Sequence, residues 1–446
     1  MKIKNLEALA TSAERRFVLD LAEVGLAAID TRLAVRERVK IKDGVLELAG
    51  EVAGIKLPPH VFVVGVGKCA IAAAEELEVI LGEHLTGGLV IDVTKSNTCT
   101  LKKIECFAGT HPFPSDENIA ITGKLMKLLQ NLTIDDLVIA IVSGGGSTLL
   151  CLPENDGTCL EEKLIVTALF EAGATIQDLN VVRKHMSLAR GGHLAKAAYP
   201  AQVVGLIFSD VPGDDLTFVA SGPTYRDDTT VADADLVLEK YGILRTCGLE
   251  HCGLIETPKE AQYFDRVRNV LIVSNGLALE AMAKASQEAG LTPEIKNKQL
   301  TGEASLVGAE VVASLRSAPP KSVHLYGGET TVKFATNETG VLSRGVSRPR
   351  RGGGRNHELG LSALTALGEG EVVLALASDG RDNSDYAGAI VDVPLRQLAE
   401  AKDLAPETYL ARHDSIGFFE AMGEGQLVTG QTGSNVSDLL IAVKFK

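Results

Sequence analysis

Residues 137–150 carry the strongest chemical signal: the apolar run Leu-Val-Ile-Ala-Ile-Val stops at Ser143, passes Gly144, Gly145 and Gly146, and resumes after Ser147 in a helix-compatible pattern. A strand that breaks into such a turn ahead of a helix exposes backbone N–H groups where the helix dipole is positive, a seat for an anion and most often a phosphate. A plain tight turn would need only one glycine for its positive φ. A second glycine turn, Val64-Gly65-Val66-Gly67-Lys68-Cys69-Ala70, holds Lys68, whose ammonium would sit beside whatever that turn binds. It also fits the loose dinucleotide pattern G-x-G-x-x-A, with Asp92 at the end of a later strand as a ribose acceptor. No Walker sequence G-x-x-x-x-G-K-[ST] occurs, so a nucleotide site must be built another way.

Other segments add charge. Arg183, Lys184, His185, Arg190 and His193 fall within eleven positions. On a helix Arg183, Ser187 and Arg190 share a face, while Lys184 and Met186 diverge. Two acidic stretches each follow an apolar strand: Ser209–Asp215, with Asp210, Asp214 and Asp215, and Ser378–Asp385, with Asp379. Their oxygens suit Mg²⁺, and the same residues also suit turns and helix caps. Arg344, Arg348, Arg350 and Arg351 run into Gly352–Gly354, Arg355 and Asn356 at a helix start, an arrangement that fits a carboxylate or phosphate clamp centred on Arg355. Thr429–Asp438, including Asn435, is a polar loop before the last strand.

The chain that must position these groups has 446 residues, enough for two or three domains, and is 45% hydrophobic and 23% charged, as in ordinary globular proteins. Its formal charge of −14 disfavours nucleic acid and means that an anionic substrate requires cations concentrated locally. No apolar run reaches the ~20 residues of a membrane span. The N-terminus lacks a secretory or transit pattern, so a cytoplasmic protein is expected. Seven scattered cysteines without zinc-site spacing read as reduced thiols.

An opening helix is expected over roughly Leu6 to Leu33, then a hairpin turning at Asp43-Gly44. Apolar strands then alternate with helices, beginning Val61–Val64, Leu89–Val93, Leu137–Val142 and Val203–Phe208, and again from Val270 to Leu439–Val443. This alternation predicts an α/β fold of two domains with mostly parallel sheets covered by helices and an active-site cleft between them. The expected division is 1–255, a Rossmann-like α/β domain, and 256–446, a second α/β domain, with the first helix free to pack on either.

The stretches Gly65–Ala70, Gly109–Pro114, Ser143–Pro153, Arg183–Ala195, Ser209–Thr224, Gly327–Val332, Gly354–Leu361, Asp379–Val391 and Gly430–Leu439, in this order, resemble the glycerate kinase type-2 family, whose C-terminal part is the MOFRL domain. The resemblance implies an ATP- and Mg²⁺-dependent kinase that acts on D-glycerate and gives 2-phosphoglycerate. It implies Lys68 and Arg355 as the principal active-site cations, with Asp210 beside them. Ser143, Gly144, Gly145, Gly146, Ser147, Arg183, Lys184, His185, Asn356 and Asn435 are expected around substrate and phosphates. A carboxylate of Asp210, Asp214 or Asp379 would bind the metal, and an aspartate or His185 would take the hydroxyl proton. The expected partners are a small-molecule substrate, no nucleic acid and no membrane, in a monomer or homodimer. Two rival functions remain: an NAD(P)H-dependent hydroxypyruvate reductase, suggested by the Gly65–Ala70 pattern, and a non-catalytic sugar-acid or phosphate-binding protein.

Overall fold

The computed structural model describes residues 1–93, 99–154, 159–211, 213, 215–249, 253–332 and 353–446. Two compact units emerge, one of residues 31–211 and 215–273, the other of residues 1–30 and 274–446 with the short stretch around Gly213.

In the first unit β1 (Val39–Lys42) and β2 (Val45–Leu48) form the expected hairpin, joined by β3 (Ile55–Lys56). Its main sheet contains β4 (His60–Val66), β5 (Leu85–Asp92), β6 (Ile104–Ala108), β7 (Asp136–Ser143), β8 (Gln202–Phe208) and β9 (Val267–Val273), in the order β6-β5-β4-β7-β8-β9. Every pair is parallel. All of β7 is buried, which is why it reads as an unbroken apolar run rather than an alternating one. From β4 the chain winds outward to β5 and β6; from β7 it winds the other way to β8 and β9. The β4/β7 junction is therefore a topological switch point, where open α/β sheets leave a crevice at the strands' carboxyl ends. Val64, Val66, Ile91, Val138, Ala140 and Val142 form the core with Ile121, Leu125 and Leu129 of the helix Asp116–Leu129. The helices Cys159–Glu171, Ile176–Lys184 and Val231–Lys240 enclose a second apolar cluster around Ile165, Leu169, Val182 and Leu238.

The second unit contains β10 (Thr292–Leu300), β11 (Ser322–Gly328), β12 (Glu371–Ala377), β13 (Gly388–Asp392), β14 (Gln426–Leu427) and β15 (Asp438–Lys444), in the order β10-β11-β15-β12-β13-β14. Only β10 and β11 pair in parallel, which corrects the expectation of a mostly parallel second sheet. The C-terminal strand β15 inserts antiparallel between β11 and β12. A strand buried on both faces has the same composition whichever way it runs, so direction was not legible.

The opening helix is also corrected. It divides into Leu6–Leu9, Ala13–Ala28 and Thr31–Arg38, because the Ser12 side chain accepts the N–H of Arg15 and starts a new helix. Residues 1–30 belong with the second unit. There Arg15, buried, donates to both oxygens of Asp392 at 2.6 and 2.8 Å. Gly25 lets Ala13–Ala28 approach the helix Asn275–Glu288, since a Cβ at Gly25 would lie 2.9 Å from the Met282 sulfur. The division between units falls after Val273 rather than near 255, because β9 pairs with β8. Cys99 and Cys106 are joined as a disulfide where thiols were expected; the chain returns into β6 and brings their Cα atoms to 7.0 Å. Among the described residues no helix is long and apolar enough to cross a membrane.

Candidate active site

In the first unit the two glycine turns interlock at the switch point. The Lys68 N–H donates to the Gly144 carbonyl at 3.0 Å. Gly67 has φ +115°, and a Cβ there would meet the Ser143 hydroxyl at 2.1 Å and the Ser143 carbonyl at 2.5 Å, so only glycine fits. Gly144 must also lack a side chain: the Asp210 carboxylate occupies the space, 1.8 Å from where a Cβ would stand. Ser143 itself turns inward, donating to the Val66 carbonyl at 3.2 Å, and Gly146 packs against Ala220 and Val66. Both were expected at the ligand; the Ser143 hydroxyl and the Cα of Gly146 are taken up in bracing the turns.

Lys68, His111, Gly144, Gly145, Ser147, Arg183 and Asp210 line a cavity of about 480 Å³, together with Phe113, Phe170, Ile176, Leu179 and Phe218. The helix after the glycines is a single turn, Gly146–Leu149, so attraction for an anion comes from the cations more than from a dipole. Burial and the nearby Arg190 charge lower the Arg183 pKa to about 10, which leaves it charged at neutral pH. Desolvation, then the Lys68 and Arg183 charges, push the His111 imidazole below its ordinary value. Ala220 and Ser221 hold φ near +51° and +58°, a left-handed conformation unusual outside glycine, and Ser221 meets Ser147 hydroxyl to hydroxyl at 2.8 Å. This strained wall faces the same cavity through Ala220.

Lys184 and His185 do not join this pocket. Lys184 is buried against Asp227, Nζ to Oδ1 3.0 Å, and His185 is buried with Nδ1 2.8 Å from the Ile255 carbonyl and Nε2 3.3 Å from the Thr229 hydroxyl. Burial alone would raise the Asp227 carboxyl, but the Lys184 charge and the Thr229 bonds hold it low. Successive residues on a helix point about 100° apart, so Arg183 faces the cavity while Lys184 faces the interior. Asp92 is engaged as well: its carboxylate accepts the N–H groups of Ile71 (3.2 Å) and Val93 (2.7 Å), fixing the start of the helix Ala70–Leu81.

In the second unit the carboxyl ends of β11 and β12 and the start of β15 share one sheet end, with Gly328, Asp438 and Ala377 in register. Arg355, the first residue of the helix Arg355–Ala366, grips Asp438 through Nε (2.5 Å) and Nη2 (2.9 Å), and its Nη1 lies 3.0 Å from Glu329. Burial pushes the Asp438 carboxyl up to about 7 against the pull of that fork. Although desolvation opposes it, the Asp438 and Glu329 carboxylates keep the guanidinium firmly protonated. Asp382, fully buried, accepts Asn356 N (3.1 Å), Asn356 Nδ2 (3.2 Å), His357 N (2.9 Å) and His357 Nδ1 (2.6 Å). Asn356 is thus turned inward rather than toward a ligand. Gly354 is obligatory here, since a Cβ would meet the Asp382 carboxyl carbon at 2.1 Å. Asp379 and Asn435 each spend Oδ1 on a local turn, to Arg381 N (2.9 Å) and Ser437 N (3.1 Å).

Among the described residues no three His, Cys, Asp or Glu side chains are grouped to hold a metal ion. Asp214 and the arginines at 344, 348, 350 and 351 lie outside the described residues. His111, Glu329, Asp438 and the Asp382–His357 pair were not singled out from sequence. His111 and Glu329 stand in stretches that carried the family resemblance, but nothing in their local pattern marks them as charge partners.

Residues 17–249 match a domain of unknown function (DUF4147), and residues 322–438 match the MOFRL family. The chain is 34% identical to D-glycerate 2-kinase of Thermotoga maritima, across 86% of this chain and 90% of that protein. It is 37% identical to an Agrobacterium vitis protein provisionally named hydroxypyruvate reductase, across 84% of this chain and 85% of that one. A crystal structure of glycerate kinase from T. maritima superposes with a TM-score of 0.81 at 30% identity, covering 96% of this chain and 99% of that one. With two family models in register along its length and a kinase fold matched nearly end to end, this chain belongs to the glycerate kinase family.

Proposed function

We propose that this protein transfers the γ-phosphoryl group of ATP to D-glycerate, with Mg²⁺, to give 2-phosphoglycerate. The observation that carries this reading is the cavity at the β4/β7 switch point, where the cations Lys68 and Arg183 and the His111 imidazole stand beside the Gly144–Gly145 turn in a chain of net charge −14. Phosphoryl transfer asks a protein for positioning and charge neutralisation more than covalent help. Lys68 and Arg355 hold the glycerate carboxylate and the transferring group. Asp438 keeps the guanidinium of Arg355 oriented and charged, and Asp210 accepts the proton of the attacking hydroxyl. Mg²⁺ prefers oxygen ligands and is commonly held by one or two carboxylates plus substrate phosphates, so a carboxylate of Asp210, Asp214 or Asp379 would suit it without a ready-made cage. When bound, the ion would neutralise charge on the phosphates. The 2-position is favoured by the name of the T. maritima relative. We further propose that the enzyme works in the cytoplasm, as a monomer or homodimer.

A nicotinamide-dependent reductase would need a ribose acceptor after the Gly65–Ala70 turn, and Asp92 is already committed to backbone N–H groups. Two assays run in parallel test the proposal: D-glycerate with ATP and MgCl₂, following ADP, and hydroxypyruvate with NADH or NADPH, following cofactor oxidation. ³¹P NMR of the product separates 2- from 3-phosphoglycerate. Cofactor oxidation without ADP release would reject the kinase.

A further inference from the structure

Two acid side chains already occupy the guanidinium of Arg355. Asp438 takes its Nε–Nη2 edge at 2.5 and 2.9 Å, and Glu329 stands 3.0 Å from Nη1. A cation flanked by two carboxylates offers an incoming anion little net attraction, so one of them must withdraw first. The two partners differ in what withdrawal would cost. The Asp438 side chain is 10% exposed, begins the internal strand β15 and engages two nitrogens of the fork. Separating a buried pair of this kind is strongly unfavourable. The Glu329 side chain is 50% exposed and meets one nitrogen, an ion pair with which water competes readily. Arg355 itself keeps 22% of its side chain exposed, so a solute can reach it. The backbone beneath Glu329 is anchored: its N–H donates to the Leu300 carbonyl at 2.7 Å, and the Thr331 N–H to the Gly302 carbonyl at 2.8 Å. The side chain of Glu329 can therefore swing into solvent while the end of β11 stays in place.

We infer that Glu329 is an exchangeable stand-in for the substrate carboxylate: it holds the Nη1 side of Arg355 in the free protein and yields that position when an acid binds. The inference rests on the proposed role of Arg355 in holding the glycerate carboxylate, and adds the residue that sets affinity for that group. Binding is then an exchange, and apparent affinity is reduced by the share of molecules in which Glu329 occupies the guanidinium. A neutral polyol carries no charge to take over the pairing, so the exchange favours acids over alcohols of the same size.

The test uses the full chain as wild type, Glu329→Gln, Arg355→Gln, the double variant and Glu303→Gln. Glu303 controls for general loss of negative charge: its carboxylate accepts the Ser305 hydroxyl at 3.3 Å, and its backbone bridges Thr331. Isothermal calorimetry at low ionic strength, without ATP, measures binding of D-glycerate and of sulfate. Glu329→Gln keeps the side-chain size, removes the competing charge and should tighten both anions about 2- to 5-fold. Glycerol, which has no carboxylate, should gain nothing. Glu303→Gln should bind as wild type does, and the gain should vanish in the Arg355→Gln background. In steady state KM for D-glycerate should fall in Glu329→Gln. No gain for either anion, an equal gain in Glu303→Gln, or a gain that survives loss of Arg355 overturns the inference. ADP formation from D-glycerate and ATP is scored separately. If the anion gain is present but wild type forms no ADP, the inference stands and the proposed function falls. If wild type forms ADP and no gain appears, the proposed function stands and the inference falls.

Discussion

Replacing Asp382 with asparagine tests whether the second-unit site is held from beneath by one carboxylate. Asp382 is fully buried and receives four N–H groups, two on each oxygen. Asparagine keeps the volume and one acceptor oxygen but turns an NH₂ group toward two of those donors. A hydrogen bond to a charged group contributes about 1.5–3 kcal/mol, so two lost or reversed bonds predict a destabilisation of about 3–6 kcal/mol. That is a large part of the 5–15 kcal/mol typical of a whole domain, measurable as a shifted guanidinium midpoint. The pH dependence has a definite sign. Burial would raise the Asp382 carboxyl, but the bonds and charge of His357 and the backbone N–H groups hold it below the ordinary range. A carboxyl depressed in the folded state stabilises above its unfolded value of about 3.9, and that contribution is lost as pH falls through the folded value. Wild type should therefore lose stability steeply below about pH 4, and Asp382→Asn should lose less there. Because Asn356 and His357 follow Arg355 directly, kcat should fall as well. A midpoint unchanged to within about 1 kcal/mol, with an acid limb identical to wild type, would refute the reasoning.

Lys68→Ala and Arg355→Ala should each lower kcat about a hundredfold or more in proteins with normal circular dichroism, as expected for loss of a cation acting on developing charge. Near-normal turnover in both would remove them from the chemistry. Gly144→Ala must displace the Asp210 carboxylate, now 1.8 Å from the new methyl position, and should reduce kcat more than it reduces melting temperature. Equal kcat would remove Asp210 from the reaction. Lys184→Met leaves Asp227 buried without its closest cation, and should cost about 3–5 kcal/mol of stability with little change in either KM. A selective rise in KM would return Lys184 to the ligand site.

The α/β class, the strands β4, β5, β7, β8 and β9 and the glycine turns were legible in the sequence because local physics writes them there, whereas β6 was not read. Strands buried on both faces need continuous apolar residues, and turns with no room for a Cβ need glycine, as at Gly67 and Gly144. Lys68 and Arg355 were legible too, as cations set beside such turns in an acidic chain. The parity of a helix also separates Arg183 from Lys184, although only the fold says which of the two faces the cavity.

Strand direction in the second sheet, the division after Val273 and the partners of each charge were settled by the tertiary structure alone. Asp438 reads as one more acidic residue until β15 slides between β11 and β12 and delivers it to Arg355, 83 positions away along the chain. Asp382 likewise acquires its meaning only from Asn356 and His357. Composition and periodicity report what a residue's own neighbourhood demands. The environment of a buried charge is made by distant segments, and a local pattern carries no record of them.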